Sequence, residues 1–271
     1  MEMSPTASRA FANLLEERTG QILSANRAWR IETVLKPVMR EREVPSLDAM
    51  ARMIGTKRDA GLANAVVEAL LNNETFFFRE LSSFQQLAES ALDRIVAARA
   101  AKRRLRILSV GCSTGQEAYS LAMMLADQGS RWEGWNVEIV GTDVSRIAID
   151  RAREGIYSQF EIQRGLPVRQ MMRWFESDGE NWRAIPALRS RVRFQVHNLL
   201  DPPVSPLRFD VILCRNVLLY FSPETRAAAF RRLGAAIAPD GVLMLGAGET
   251  TLGQTDLFVS DSDNRGLYRL A

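Results

Sequence analysis

The sequence has two cysteines, Cys112 and Cys214, and one histidine, His197. Two cysteines are too few for a disulfide framework or a cysteine-liganded zinc site, and both lie in apolar or glycine-rich stretches. A single histidine weakens a Ser-His-Asp arrangement and a multi-histidine metal centre, because those chemistries need a base or several ligands. No metal is expected. No run approaches the roughly 18 apolar residues that a membrane-spanning helix requires. The opening residues, Met1-Glu2-Met3-Ser4-Pro5, lack a basic segment followed by an apolar one. Membrane insertion and secretion are therefore not expected, and a reducing cytoplasm fits. An excess of one charge is missing too: 35 Lys plus Arg against 32 Asp plus Glu leave +3. That supplies no broad phosphate-binding surface, so no nucleic-acid partner is expected.

What is present is ordinary globular composition, 46% hydrophobic and 25% charged over 271 residues. It suits one large domain with a small appendage. From Phe11 to about Ala98 apolar residues recur at three and four, as in Ala28, Trp29, Ile31, Leu35, Val38 and Met39, which predicts several short helices. Ser46 after Pro45 reads as an N-cap, and Gly55 as a stop before Thr56-Lys57-Arg58-Asp59. A basic stretch, Arg99 to Arg106, leads into a strand and places the expected boundary between a helical domain (1–98) and a second domain (99–271).

There the rhythm alternates. Strands are predicted at 106–110, 137–142, 192–196, 209–214 and 241–246, with helices at 116–127, 145–153 and 223–237. Such alternation needs crossover connections and implies a doubly wound, Rossmann-like α/β fold with a parallel sheet. The end, Leu257–Val259 and Leu267–Leu270 around Asp263-Asn264-Arg265-Gly266, predicts a closing hairpin. Residues 157–191 are too long for bare loop and read as an inserted subdomain.

The segment Ile107-Leu108-Ser109-Val110-Gly111-Cys112-Ser113-Thr114-Gly115-Gln116-Glu117 runs from an apolar strand through a glycine turn into a helix, where backbone amides can approach a ligand. The third glycine of a dinucleotide fingerprint is absent, and Glu117 would repel a pyrophosphate. A nicotinamide oxidoreductase is disfavoured for both reasons. Asp143 closes the second strand, where an acid suits a ribose diol or caps the helix that starts near Ser145. A nucleoside without a pyrophosphate, bound beside two acids, points to S-adenosylmethionine (AdoMet).

The segment Asn73-Glu74-Thr75-Phe76-Phe77-Phe78-Arg79-Glu80, followed by the glycine turn, resembles the chemotaxis receptor glutamate methyltransferases, the CheR family. So do Gly141-Thr142-Asp143 with Ala152-Arg153-Glu154-Gly155-Ile156-Tyr157, then His197-Asn198-Leu199, then Cys214-Arg215-Asn216-Val217-Leu218-Leu219-Tyr220-Phe221. The order and spacing agree from about residue 11 to the C-terminus. The resemblance implies an N-terminal helical domain, an AdoMet-dependent methyltransferase domain and a small β-subdomain insertion. It implies methyl-ester formation on receptor glutamates, with S-adenosyl-L-homocysteine as the product.

By position, the resemblance sends Asn73, Thr75 and Arg79 to the methionine end of AdoMet, Glu117 to its ammonium and Asp143 to its ribose, with Gly111 in the cofactor turn. Asn198 and Leu199 border the adenine, and Arg215 with Asn216 line the pocket floor. Arg79 and Tyr220 face the substrate carboxylate, unless Arg79 is held in an ion pair with Glu80. Phe76, Phe77 and Phe78 are read as packing. A glutamate is already ionised at neutral pH, so its attack on a sulfonium methyl needs no general base.

Over residues 25–42, Arg30, Lys36 and Arg40 lie on the arc opposite Ala28, Ile31, Leu35 and Val38, although Pro37 interrupts or restarts that helix. A basic face can meet the acidic methylation helices of a receptor, or simply be solvated. Phe175–Trp182, with Gly179 as its one glycine, is short for holding a receptor's C-terminal tethering peptide, so no tight tether is expected. A cytoplasmic monomer is the expectation. Asp201-Pro202-Pro203 reads as a turn, which argues against an amino-methylating enzyme. A noncatalytic AdoMet-sensing or receptor-binding module, or a methyltransferase with another acceptor, stays open.

Overall fold

Ser4 and Ser46 each precede an apolar periodic segment, and each closes the first turn of a helix with its hydroxyl. Ser4 Oγ accepts from the amide of Ala7 ahead of α1 (Pro5–Thr19), with Pro5 in the first turn, and Gly20 ends the helix at φ 77°. Three more helices follow: α2 (Ala28–Glu41), α3 (Leu47–Gly55), capped by Ser46, and α4 (Ala60–Leu70), capped by Asp59. Their inward stripes, among them Phe11, Leu15, Ile31, Leu35, Met50 and Val66, are buried.

The computed structural model describes residues 3–23, 28–56, 59–262, 264 and 266–271. The side chains of Ala28 and Trp29, along with Lys57, Arg58, Asp263 and Arg265, fall outside the described residues.

Pro37 neither interrupts nor restarts α2; it stands inside the helix. The ring leaves the Thr33 carbonyl without its amide partner. Both Thr33 and Pro37 are exposed, so water can take that bond.

The chain divides into residues 1–72 with Tyr220–Thr225, and Asn73–Leu219 with Arg226–Ala271. The division falls at Asn72, earlier than the expected boundary near 98. The helices α5 (Leu81–Gln86) and α6 (Leu92–Arg99), with the π-turn Leu87–Ala91 between them, bury Phe84, Leu87, Leu92 and Ile95 in one core with Leu105 and Ile107. A helical pattern with sparse glycine runs through both sides of the division, so composition does not mark it.

In the second unit the elements alternate as predicted: β1 (Arg104–Val110), α7 (Gln116–Asp127), β2 (Asn136–Asp143) and α8 (Arg146–Glu154). The segment that follows holds β3 (Ile156–Ser158), α9 (Gln159–Gln163), α10 (Val168–Trp174), β4 (Phe175–Asp178), β5 (Asn181–Ala184) and α11 (Pro186–Arg189). Its strands form a separate antiparallel sheet, ordered β3-β5-β4. The main sheet is completed by β6 (Val192–Val196), β7 (Phe209–Cys214), then, after α12 (Pro223–Ala236), β8 (Ile237–Leu245) and the antiparallel pair β9 (Phe258–Ser260) and β10 (Leu267–Leu270). Its order is β6-β2-β1-β7-β8-β10-β9, parallel from β6 to β8. The first strand therefore lies inside the sheet, and the chain reverses its direction of winding between β1 and β7. The crevice outside the carboxyl ends of those strands is where a ligand of such a sheet binds.

β8 begins at Ile237, ahead of the expected 241. The register shifts between Phe209 and Val211, which lets Ile237 pair with Phe209 before the regular ladder resumes at Val242.

Candidate active site

The turn after β1 forms because Gly111 and Gly115 accept positive φ, 66° and 95°. A Cβ at Gly111 would overlap the Val217 methyl, and one at Gly115 would lie 3.0 Å from Ala152 and Phe194. Only glycine fits either place. Between them Ser113, itself at φ 51°, donates its amide to Asp143 Oδ2 (2.8 Å) and its hydroxyl to the Asn73 carbonyl (2.7 Å).

Asp143 is buried, and its Oδ1 accepts from the Ser145 amide (2.9 Å). The helix cap itself is Ser145, whose hydroxyl accepts from Ala148. Asp143 thus braces the turns that follow β1 and β2, and each carboxylate oxygen can accept more than one bond.

Across the crevice floor, Arg215 follows β7 with its side chain only 1% exposed. Its Nη1 meets Glu117 Oε2 at 2.9 Å, and its Nη2 meets Glu80 Oε2 at 3.0 Å and the Arg79 carbonyl at 2.6 Å. Ser109 donates its hydroxyl to the other Glu117 oxygen (2.8 Å). Burial pulls the Arg215 pKa down, but Glu117 and Glu80 more than offset it, so it stands above its ordinary value.

Two carboxylates against one guanidinium leave this buried cluster net negative. Arg215 Nε is buried without an acceptor. A ligand that is cationic overall and also carries an acceptor matches both features. AdoMet, with ammonium and sulfonium charges beside a carboxylate, fits; a pyrophosphate does not. Glu117 is engaged with Arg215 and Ser109, so an ammonium would meet it as part of the cluster.

Arg79 is held loosely. Its Nη1 lies 3.5 Å from the Glu74 carbonyl and its guanidinium 5.5 Å from the Phe76 ring centre. The alternative, an ion pair with Glu80, is not formed: Glu80 pairs with Arg215 and accepts the Ala247 amide. Arg79 has no carboxylate partner among the described residues. Phe77 is fully buried and packs edge-on against Tyr157 and Phe175, whereas Phe76 is half-buried beneath Arg79 and Arg164. The packing role read for the three phenylalanines thus describes Phe77 fully and Phe76 only in part.

Asn73 and Thr75 line a cavity of about 240 Å³ with Thr114, Gln116 and Arg151. Asn198 and Leu199 are half-buried after β6, and Asn198 Oδ1 accepts from the Leu200 amide. Asn216 stands at φ 59° beside Arg215. Tyr220 belongs with the helical unit, where its phenol oxygen accepts from Asn72 Nδ2 (2.7 Å). In that unit Lys36 and Arg40 are exposed and Arg30 half-buried, opposite the buried Ile31, Leu35 and Val38.

Cys112 and Cys214 are both fully buried, and burial pushes both thiols well above their ordinary pKa. Sequence reasoning missed Glu249, which binds the backbone beyond β7. Its signal was present in Gly246-Ala247-Gly248-Glu249 at the carboxyl end of the last parallel strand.

The description "CheR methyltransferase, SAM binding domain" matches residues 73–265. The chain is 37% identical over 243 residues to chemotaxis protein methyltransferase 1 of Pseudomonas aeruginosa, covering 88% of each. It is 33% identical over 266 residues to the chemotaxis protein methyltransferase of Vibrio parahaemolyticus, covering 97% of this chain and 96% of that one. A third relative, the probable biofilm formation methyltransferase WspC of P. aeruginosa, is 34% identical over 245 residues, covering 89% of this chain and 56% of that one.

Proposed function

The chain belongs to the CheR methyltransferase family, and from that premise we propose that it methylates glutamate side chains of chemoreceptors with AdoMet, leaving S-adenosyl-L-homocysteine. The observation that carries the proposal is the buried Glu80–Arg215–Glu117 cluster, net negative beside the glycine turn. Bound AdoMet supplies an electrophilic methyl group on a positively charged sulfur.

The chain's own residues hold and orient. Asp143 accepts from the ribose hydroxyls, Gly111 allows close approach, and Asn198 with Leu199 borders the adenine. Asn73, Thr75 and Arg79 take the methionine end, Glu117 contributes negative charge near the ammonium, and Arg215 with Asn216 forms the floor. Arg79 also orients the acceptor carboxylate, and Tyr220 supplies a second contact to it. The acceptor is ionised at neutral pH, so no residue has to remove a proton. Positioning alone can supply roughly 7–11 kcal/mol.

Receptor engagement uses Arg30, Lys36 and Arg40 as a cationic arc for acidic methylation helices. The β-subdomain gives no tight tether, since β4 and β5 are joined by the two-residue turn Gly179-Glu180. The protein acts as a monomer in the cytoplasm, without nucleic acid; no described helix is long and apolar enough to cross a membrane.

The test uses methyl-labelled AdoMet with membranes carrying chemoreceptors from the same cell. Label released as volatile methanol in mild base is expected, and reversing the arc (Arg30→Glu, Lys36→Glu, Arg40→Glu) should lower it without changing AdoMet affinity. AdoMet binding with no release would point to a sensing module. A receptor C-terminal pentapeptide should show no binding in the micromolar range by calorimetry; a micromolar dissociation constant would overturn the tether statement.

A further inference from the structure

Glu249 follows β8, and its carboxylate sits inside a ring of backbone amides. Oε2 accepts from Asn216 (2.7 Å) and Gly246 (3.0 Å); Oε1 accepts from Val217 (3.0 Å), Leu218 (2.8 Å) and Leu219 (3.3 Å). These amides belong chiefly to the loop after β7, which turns into the short 3-10 segment Leu218–Tyr220. Successive amides that converge in this way form a concave anion site, and here a side chain of the same protein fills it.

The cradle acts on an uncommon backbone conformation. Asn216 is at φ 59°, in the left-handed region that few L-residues adopt and asparagine tolerates better than most. Its amide makes the shortest of the five bonds. Val217, next in the chain, is the wall that a Cβ at Gly111 would strike. Gly246 has no room for a side chain, since a Cβ there would lie 2.8 Å from Asn216 Nδ2 and 3.0 Å from Glu249 Oε2. The turns beyond β7 and β8 therefore meet at this carboxylate, and the turn beyond β1 packs against Val217. Burial pushes the Glu249 pKa above the usual carboxylate range, against the amides of Asn216, Gly246, Leu219 and Leu218.

We propose that Glu249 is a positioning residue that sets the conformation of the Arg215–Leu219 loop and thereby the affinity for AdoMet. It acts through Asn216 and Val217. The inference rests on the proposal that Arg215 and Asn216 line the cofactor pocket.

The variant to test is Glu249→Gln. It preserves shape, but a carboxamide offers one acceptor oxygen and turns an NH₂ toward amides that also donate. Hydrogen exchange at the amides of 216–219 in the free protein should quicken at least about tenfold, with β1 unchanged. The AdoMet dissociation constant by calorimetry should rise at least about tenfold. Glu249→Asp, which keeps the charge on a shorter arm, should fall between the two proteins and serves in place of the glutamine variant if that one does not fold. Unchanged exchange at 216–219, or AdoMet affinity within about twofold of wild type, overturns the inference. Wild-type protein that does not bind AdoMet overturns the proposed function as well; wild-type binding that the variants match overturns the inference alone.

Discussion

Replacing Arg79 by alanine is expected to reduce methyl transfer by about 10²–10³-fold, equivalent to about 3–4 kcal/mol of transition-state stabilisation. The melting temperature should hardly move. The separation follows from how the side chain is held: a 3.5 Å contact to a carbonyl, a stack on Phe76 and no carboxylate partner among the described residues. A loosely held guanidinium of this kind contributes little to stability, within about 0.5 kcal/mol. Its charge and fork are free to meet an incoming carboxylate, which it orients rather than activates. Arg79→Lys keeps the charge without the planar fork and should recover only part of the rate. The measurement is base-labile methanol from labelled receptor, beside a thermal melt. Transfer within about threefold of wild type would remove Arg79 from the reaction.

Arg215→Met should do the opposite, striking the fold first. Its guanidinium is 1% exposed and stands between Glu80 and Glu117, which are 24% and 13% exposed. Taking it away leaves two partly buried carboxylates facing each other without a countercharge. Breaking a buried pair by removing one partner costs about 3–5 kcal/mol, a fall of roughly 6–20 °C in melting temperature for a chain of this size. Adding Glu117→Gln to Arg215→Met should restore part of the loss, because one of the stranded charges disappears. Melts of the two single variants and the double variant decide the matter, and a single Arg215→Met melt within about 2 °C of wild type would show that the cluster does not hold the floor together.

Much of the architecture is legible in local pattern. The span Gln116–Asp127 is a helix at the predicted residues because Gly115 turns the chain at φ 95° and an apolar run with acceptable spacing follows. Val192–Val196 and Phe209–Cys214 likewise coincide with their predicted strands, where alternation or a continuous apolar run leaves little choice. Pro37 misleads as a helix breaker, because exposure lets solvent satisfy the freed carbonyl. The unit boundary is not legible: α5 and α6 have the same helical pattern as α1–α4, and only burial against Leu105 and Ile107 assigns them to the sheet.

The sequence by itself determined the order of elements, the glycine turn, the caps and the residues lying at the carboxyl edge, since these depend on forces acting over a few neighbouring residues. The tertiary structure decided which of those residues engage one another. Arg215 meets Glu117 across 98 positions, and Glu249 reaches amides about thirty residues away, from Asn216 to Leu219. Such partnerships exist because the strand order sets β7 between β1 and β8, bringing three turns to one crevice. Sequence distance carries no record of that meeting, and the low dielectric of the crevice gives each pairing its strength.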